Sequence, residues 1–229
     1  MKDQYVGDIN DFAKYQLLRL CGKHFERVIV SWMLTGADGR SDGGRTGYLR
    51  EIARGAADPE LFEILAELVE GDRRALSAVE ASEALPGCLF HSDAMPAGPE
   101  RATYFQSLAE LADQDSLIFL DPDNGFEVAS VAKSAGNAER YLYWDELAVL
   151  RDTGSSVLVY QHFPRVDRVE YLDRLTSRLE QELGEGYRTF AAHTSQVAFL
   201  FGVREERAAS VAQAVADRCR AEPLLAFAG

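Results

Sequence analysis

The most chemically loaded stretch of the chain is Asp121-Pro122-Asp123-Asn124-Gly125. It follows directly on the apolar run Ser116-Leu117-Ile118-Phe119-Leu120, which reads as a buried strand. Asp121 then stands at the strand's end, Pro122 stiffens the exit, and Asp123, Asn124 and Gly125 supply turn chemistry. Two carboxylates and an amide are thereby gathered at the carboxyl edge of a sheet, where open α/β sheets bind ligands. Asp-Pro and Asn-Gly also make ordinary turns, so strand-end placement carries the functional reading.

Two further segments hold candidate chemistry. In Tyr5 to Lys14, Asp8 and Asp11 are three apart and Lys14 is three further on. At the start of a helix these side chains share one side, either as a cap with local pairing or as a polar face toward a ligand. In Tyr160-Gln161-His162-Phe163-Pro164-Arg165, His162 lies just past another strand and shares the sheet edge with Asp121 if the strands run parallel. It suits a general base, a metal ligand or a stacking residue. His193 reads as structural, Asp145 and Glu146 as acids at a helix start, and Arg45 and Arg50 as anion contacts.

The elements that must position these residues are legible as patterns. Strands are predicted at Arg27–Leu34, Cys88–His91, Ser116–Leu120 and Ser155–Tyr160. A hairpin of Thr189–His193 and Gln196–Phe201 turns at Thr194-Ser195 and is closed by Gly202. Helices are predicted at Asn10–Cys21, Thr46–Arg54, Pro59–Val69, Arg101–Ala112, Trp144–Arg151, Val166–Leu183 and Glu205–Ala221. Alternating strands and helices, with early strands as continuous apolar runs, predict an α/β fold. It is a Rossmann-like, mostly parallel sheet with helices on both faces and a C-terminal antiparallel hairpin. The glycine-rich stretch Gly36–Gly47 follows the first strand, where such sheets place ligand loops. One domain over residues 1–229 is expected, with a helical insertion over about residues 44–84.

The chain has 229 residues, 47% of them hydrophobic, enough for a substantial core. The formal net charge of −13 disfavours structured nucleic acid as a partner unless positive charge is concentrated locally. Cys21, Cys88 and Cys219 are scattered singly, which argues against a disulfide framework or a thiolate zinc site. No apolar run resembles a membrane span or a secretion signal, so a cytoplasmic protein is expected. Walker A, GxSxG, HExxH and GxGxxG signatures are absent.

The pattern resembles the Rossmann-type S-adenosylmethionine-dependent methyltransferases, and within them the large-subunit ribosomal RNA adenine-N6 methyltransferases of the RlmJ type. Gly7-Asp8-Ile9-Asn10-Asp11-Phe12-Ala13-Lys14-Tyr15 is similar to that family's GNxADxxKH helix. Tyr48-Leu49-Arg50-Glu51-Ile52-Ala53-Arg54 is similar to its YLxxIAR stretch, and Asp121-Pro122-Asp123-Asn124 stands where the family has DPPY. The resemblance implies S-adenosylmethionine as cofactor, with Asp8, Asp11, Lys14, Thr35 and Gly36 at the cofactor. Asp121, Asp123, Asn124 and His162 are then the candidate catalytic residues, and the methyl acceptor is open. Asp123-Asn124 in place of Pro-Tyr leaves two alternatives. One is a Mg²⁺- or Mn²⁺-dependent nuclease or phosphohydrolase using Asp8, Asp11, Asp121, Asp123 and His162 as ligands. The other is a catalytically inactive partner module.

Overall fold

The computed structural model describes residues 1–36, 43–51 and 55–229. In chain order, α1 (Ile9–Cys21) leads into β1 (Arg27–Ser31), followed by α2 (Pro59–Glu70), α3 (Leu76–Glu80), β2 (Leu89–His91) and α4 (Arg101–Ala109). Then come β3 (Ser116–Leu120), β4 (Gly125–Phe126), β5 (Tyr141–Leu142), α5 (Leu147–Arg151) and β6 (Ser156–His162). The chain closes with α6 (Arg168–Leu183), β7 (Tyr187–His193), β8 (Val197–Arg204), α7 (Glu205–Ala221) and β9 (Ala226–Ala228).

Seven strands form one sheet in the order β2-β1-β3-β6-β8-β7-β9, and β4 pairs with β5 in a separate small sheet. The first four strands of that order are mutually parallel. β8 runs antiparallel to both β6 and β7, and β9 antiparallel to β7. The architecture is the expected α/β class. From β1 the chain moves to β2 on one side and returns to β3 on the other. The carboxyl ends of β1 and β3 therefore flank the point where strand order reverses, which is the ligand crevice of a doubly wound sheet.

Alternation along each strand sends side chains to two cores. Leu117 and Phe119 join α1, α2 and α7 on one face. Ile118 and Leu120 join α4, α5 and α6 on the other. All four are fully buried, which explains the continuous apolar run of β3. Local chemistry sets the helix starts. The Asp58 carboxylate accepts from Leu61 N with Pro59 in the first turn, and Asp167 accepts from Glu170 N at α6.

Several boundaries differ from expectation. β1 ends at Ser31, short of Leu34, because Met33 adopts φ +46° and turns the chain; Leu34 makes only an isolated bridge to Ala94. Thr46–Arg54 is a 3-10 turn over Gly47–Arg50, and residues 52–54 lie outside the described ones, as do 37–42 of the glycine-rich stretch. Trp144–Glu146 is a 3-10 turn preceding α5. Gly202 does not end the hairpin but lies inside β8. A Cβ there would sit 2.2 Å from Leu183 Cδ1, so the glycine gives room where α6 packs closely on the sheet. The short α3, the β4–β5 pair and the edge strand β9 had no strong sequence pattern. Among the described residues, no helix is long and apolar enough to cross a membrane.

Candidate functional site

The site is built from the first turn of α1 upward. Asp8 is the N-cap of α1, its carboxylate accepting from Asn10 N at 3.0 Å. Its oxygens also receive the Arg45 guanidinium at 2.9 Å, so Arg45, expected as an anion contact, is held by Asp8. One turn on, Asp11 and Lys14 point inward. Lys14 is 1% exposed, and its Nζ donates to Asp11 Oδ1 at 2.8 Å and to Asp121 Oδ2 at 2.7 Å. The ammonium also lies 4.6 Å from the centre of the Tyr160 ring. The local pair suggested by spacing thus exists, and its cation also reaches across to the end of β3.

β3 delivers Asp121 to this point, with Asp121 N continuing the ladder to Ser31 O at 3.1 Å. Asp123 turns to the N-terminus and to Thr35. It accepts from the Thr35 hydroxyl at 2.6 Å and pairs at 2.9 Å with both Lys2 Nζ and the Met1 ammonium. Gly36 is exposed and has nothing within 4 Å of where a Cβ would stand. Gly125 has φ +92°, and a Cβ there would collide with the Gln161 amide at 2.3 Å. Gln161 accepts from Phe126 N at 2.8 Å and donates to His162 O and to the Tyr171 hydroxyl, clamping the turn against β6.

A cavity of about 260 Å³ opens here, bounded by Asp8, Asp11, Lys14, Asp121 and Asp123 on one side and by Tyr160, His162 and Gln196 on another. The structure brings together Asp8, Asp11, Lys14, Asp121, Asp123 and His162, with Thr35 bonded to Asp123. It separates Asn124, which is exposed and lines a second cavity of about 480 Å³ across the turn. His162 stands at the rim of both. His193, expected to be structural, has its Nδ1 3.1 Å from Thr194 O. Asp145 and Glu146 lie in the first turn as expected, where Glu146 accepts from Tyr143 N at 2.9 Å; Glu146 also forms a buried pair with Arg101, 2.6 Å from its Nε.

Electrostatics differ along the cluster. Burial raises Asp11 to about 6 against the pull of Lys14, with Asp121 adding to the rise. Burial alone would lower Lys14; Asp11 and Asp121 outweigh it and hold the ammonium charged. Burial alone would raise Asp123, but the Met1 ammonium, Thr35 and Lys2 bring it down to about 2. Surrounding protein lowers His162 below its usual value, with Asp121 opposing and Lys14 assisting, so its imidazole is neutral at pH 7. That ring is exposed at the rim, so solvent moderates the effect.

The carboxylates expected as metal ligands already hold cations: Lys14 between Asp11 and Asp121, Arg45 on Asp8, and Lys2 with the Met1 ammonium on Asp123. Among the described residues, no group of three His, Cys, Asp or Glu side chains is arranged to hold a metal ion. The alternative set Asp8, Asp11, Asp121, Asp123 and His162 therefore lines one cavity without converging on a point, each carboxylate being paired with a cation of the protein.

Three wall residues went unrecognised in the sequence. Asn10 and Gln196 are 186 positions apart, Asn10 Nδ2 donating to Gln196 Oε1 at 3.4 Å, and the Thr194 hydroxyl donates to Asn10 Oδ1 at 3.1 Å. Only the fold lays the β7–β8 turn over the start of α1. Tyr160 was read as strand alone, although its neighbour His162 was a candidate.

No family model matches the chain, and no curated protein matches it. Among solved structures, the chain is similar to a single-residue mutant of the 16S rRNA (adenine(1408)-N(1))-methyltransferase from Catenulisporales acidiphilia. Identity is 16% over 86% of this chain and 91% of that one, with a TM-score of 0.30.

Proposed function

We propose that the chain is an S-adenosylmethionine-dependent methyltransferase, with the cavity at the ends of β1 and β3 as its cofactor site. The observation that carries this reading is the Asp11–Lys14–Asp121 cluster. Within this cluster, at the crevice of a doubly wound sheet, two buried carboxylates share one ammonium, an excess of one negative charge that is local to it, since Asp123 beside it is shared by two cations. Burial is the main cause of the raised pKa of Asp11, and the Asp121 charge adds to it. A ligand carrying positive charge relieves the local excess, and S-adenosylmethionine has both a sulfonium and an ammonium. In this respect the residues present fit the group.

Asp11 and Asp121 would hold the positive part of the cofactor, with Asn10 and Gln196 offering amides to its polar groups. Lys14 keeps the two carboxylates at a fixed spacing, and Asp8 keeps α1 in register through its cap. Thr35 enters through Asp123, which it helps to hold; Gly36 supplies unobstructed backbone beside it. When bound, the cofactor supplies an electrophilic methyl group, and such a site works mainly by positioning and exclusion of water. Asp121 orients the nucleophile of the acceptor, and the neutral His162 accepts its proton at the rim. Asn124 belongs to the acceptor side, since it faces the second cavity.

Thermal unfolding with S-adenosylmethionine, S-adenosylhomocysteine, Mg²⁺ and Mn²⁺ in parallel tests the reading. An adenosyl compound at 100-fold its Kd should stabilise the chain by about 2.7 kcal/mol. A rise with Mn²⁺ and none with either adenosyl compound overturns it. Asp121→Asn should lose methyl transfer while remaining folded; a variant that unfolds makes Asp121 structural instead.

A further inference from the structure

The second cavity, on the far side of the Asp121–Gly125 turn, is the one the reading above gives to the acceptor; its chemistry is different and is argued from its own lining. Its floor is a pair of stacked rings, Phe126 and Trp144, with centroids 3.6 Å apart and planes within 6°. Phe163 and Tyr171 form the wall toward α6, their ring centres 6.0 Å apart. Its volume, about 480 Å³, lies within the range of small-molecule sites.

The charge lining it is positive, against the −13 of the whole chain. Arg178 lies 4.5 Å over the Trp144 ring and Arg174 5.2 Å over Tyr171. Both guanidiniums are exposed at the rim. Arg178 has a loose contact with Glu182 at 3.5 Å, and Arg174 has no ion pair or hydrogen bond among the described residues. The one carboxylate among the described lining residues, Glu127, is turned to Trp144 N at 3.1 Å. Ring faces already covered by guanidiniums repel a cationic ligand. Their outer edges, with open N–H donors, attract an anionic one.

We propose that this cavity binds a planar aromatic ring carrying an anionic group. The ring packs among Phe163, Tyr171 and the Trp144 edge, and the anion meets Arg174 and Arg178. The Gln161 amide at the back of the cavity, bonded to the Tyr171 hydroxyl at 3.0 Å, fixes the wall against which the ring lies. Nucleotides and aromatic carboxylic acids share this chemistry, and the test separates them.

The chain has two tryptophans, and Trp32 lies in the opposite core with its Nε1 bonded to Glu80. Trp32→Phe therefore leaves Trp144 as the sole reporter. Its fluorescence should change saturably on adding 4-hydroxybenzoate, adenosine 5′-monophosphate, or both. Tyramine, a ring with a cation, and inorganic phosphate, an anion without a ring, should give no response at the same concentrations. Arg174→Gln with Arg178→Gln should weaken the responding ligand by at least about tenfold, as expected for loss of charge-assisted contacts. A response to the nucleotide alone assigns the ligand to nucleotides, and one to the benzoate alone assigns it to aromatic acids. Silence from both ring-bearing anions, an equal response to tyramine, or an unchanged affinity in the double arginine variant overturns the proposal. If Trp32→Phe does not fold, the difference between wild type and Trp144→Phe gives the same readout. Thermal unfolding with S-adenosylhomocysteine, run on the double arginine variant, reports on the first cavity separately.

Discussion

Two cavities flank one short turn, and they are held together by opposite means. The first is walled by buried ions: Lys14 at 1% exposure between Asp11 and Asp121, and Asp123 between Lys2 and the Met1 ammonium. The second is walled by stacked rings, with its charges out at the rim. Buried ions are unforgiving, because removing one partner strands the other without water. Exposed guanidiniums over rings contribute little to folding, since solvent screens them. Mutations in the first cavity should therefore register as stability, and mutations at the rim of the second as binding.

The sharpest way to break that contrast is Lys14→Met. It leaves Asp11 and Asp121 buried without their shared cation, and should cost about 3–5 kcal/mol in denaturant unfolding. A cost below about 1 kcal/mol would mean that water already reaches these carboxylates. Gly125→Ala addresses the wall common to both cavities. The added methyl must occupy a left-handed position and displace the Gln161 amide, so a loss of about 2–3 kcal/mol is expected. Both cavities should respond together, with weakened ligand effects at each.

Titration gives a third contrast within the first cavity. Asp123, lowered to about 2 from 3.8, contributes stability that is present above pH 4 and lost as pH falls toward 2, about 2 kcal/mol in all. Asp11, raised from 3.8 to about 6, acts in the other direction. Its contribution is present below pH 4 and lost as pH rises through 6. Unfolding free energies of Asp123→Asn and Asp11→Asn against pH should therefore differ from wild type with opposite slopes in these two windows. Parallel profiles would mean that burial does not raise Asp11. The smallest expected effect is on the stability of Arg174→Gln with Arg178→Gln, within about 0.5 kcal/mol of wild type, because both side chains are exposed. A larger loss would make the arginines part of the scaffold.

Much of the fold was legible locally. The run Ser116–Leu120 is the β3 strand residue for residue, and Glu205–Ala221 is α7. In both, apolar period and flanking turn residues act within a few positions. The same locality explains Asp8 as a cap and Asp11 with Lys14 as a pair, since three positions is nearly one helical turn. Gly202 misled for the converse reason. A glycine in a strand looks like a stop from its neighbours along the chain, whereas here it answers to Leu183 on another element.

By itself, the sequence determined most of the long helices and the buried strands, and that Asp121 ends one of those strands. It also placed carboxylates and a lysine at the start of α1. Tertiary structure alone decided that Lys14 bridges Asp11 to Asp121 across 107 positions, and that Asn10 meets Gln196. It also sent Asp123 and Asn124 to opposite sides of one turn, into a charged cavity and an aromatic one. The reason is physical: helix and strand periodicity act over a few residues. Which buried charges share a cation depends on how the sheet orders its strands, and nothing local records that.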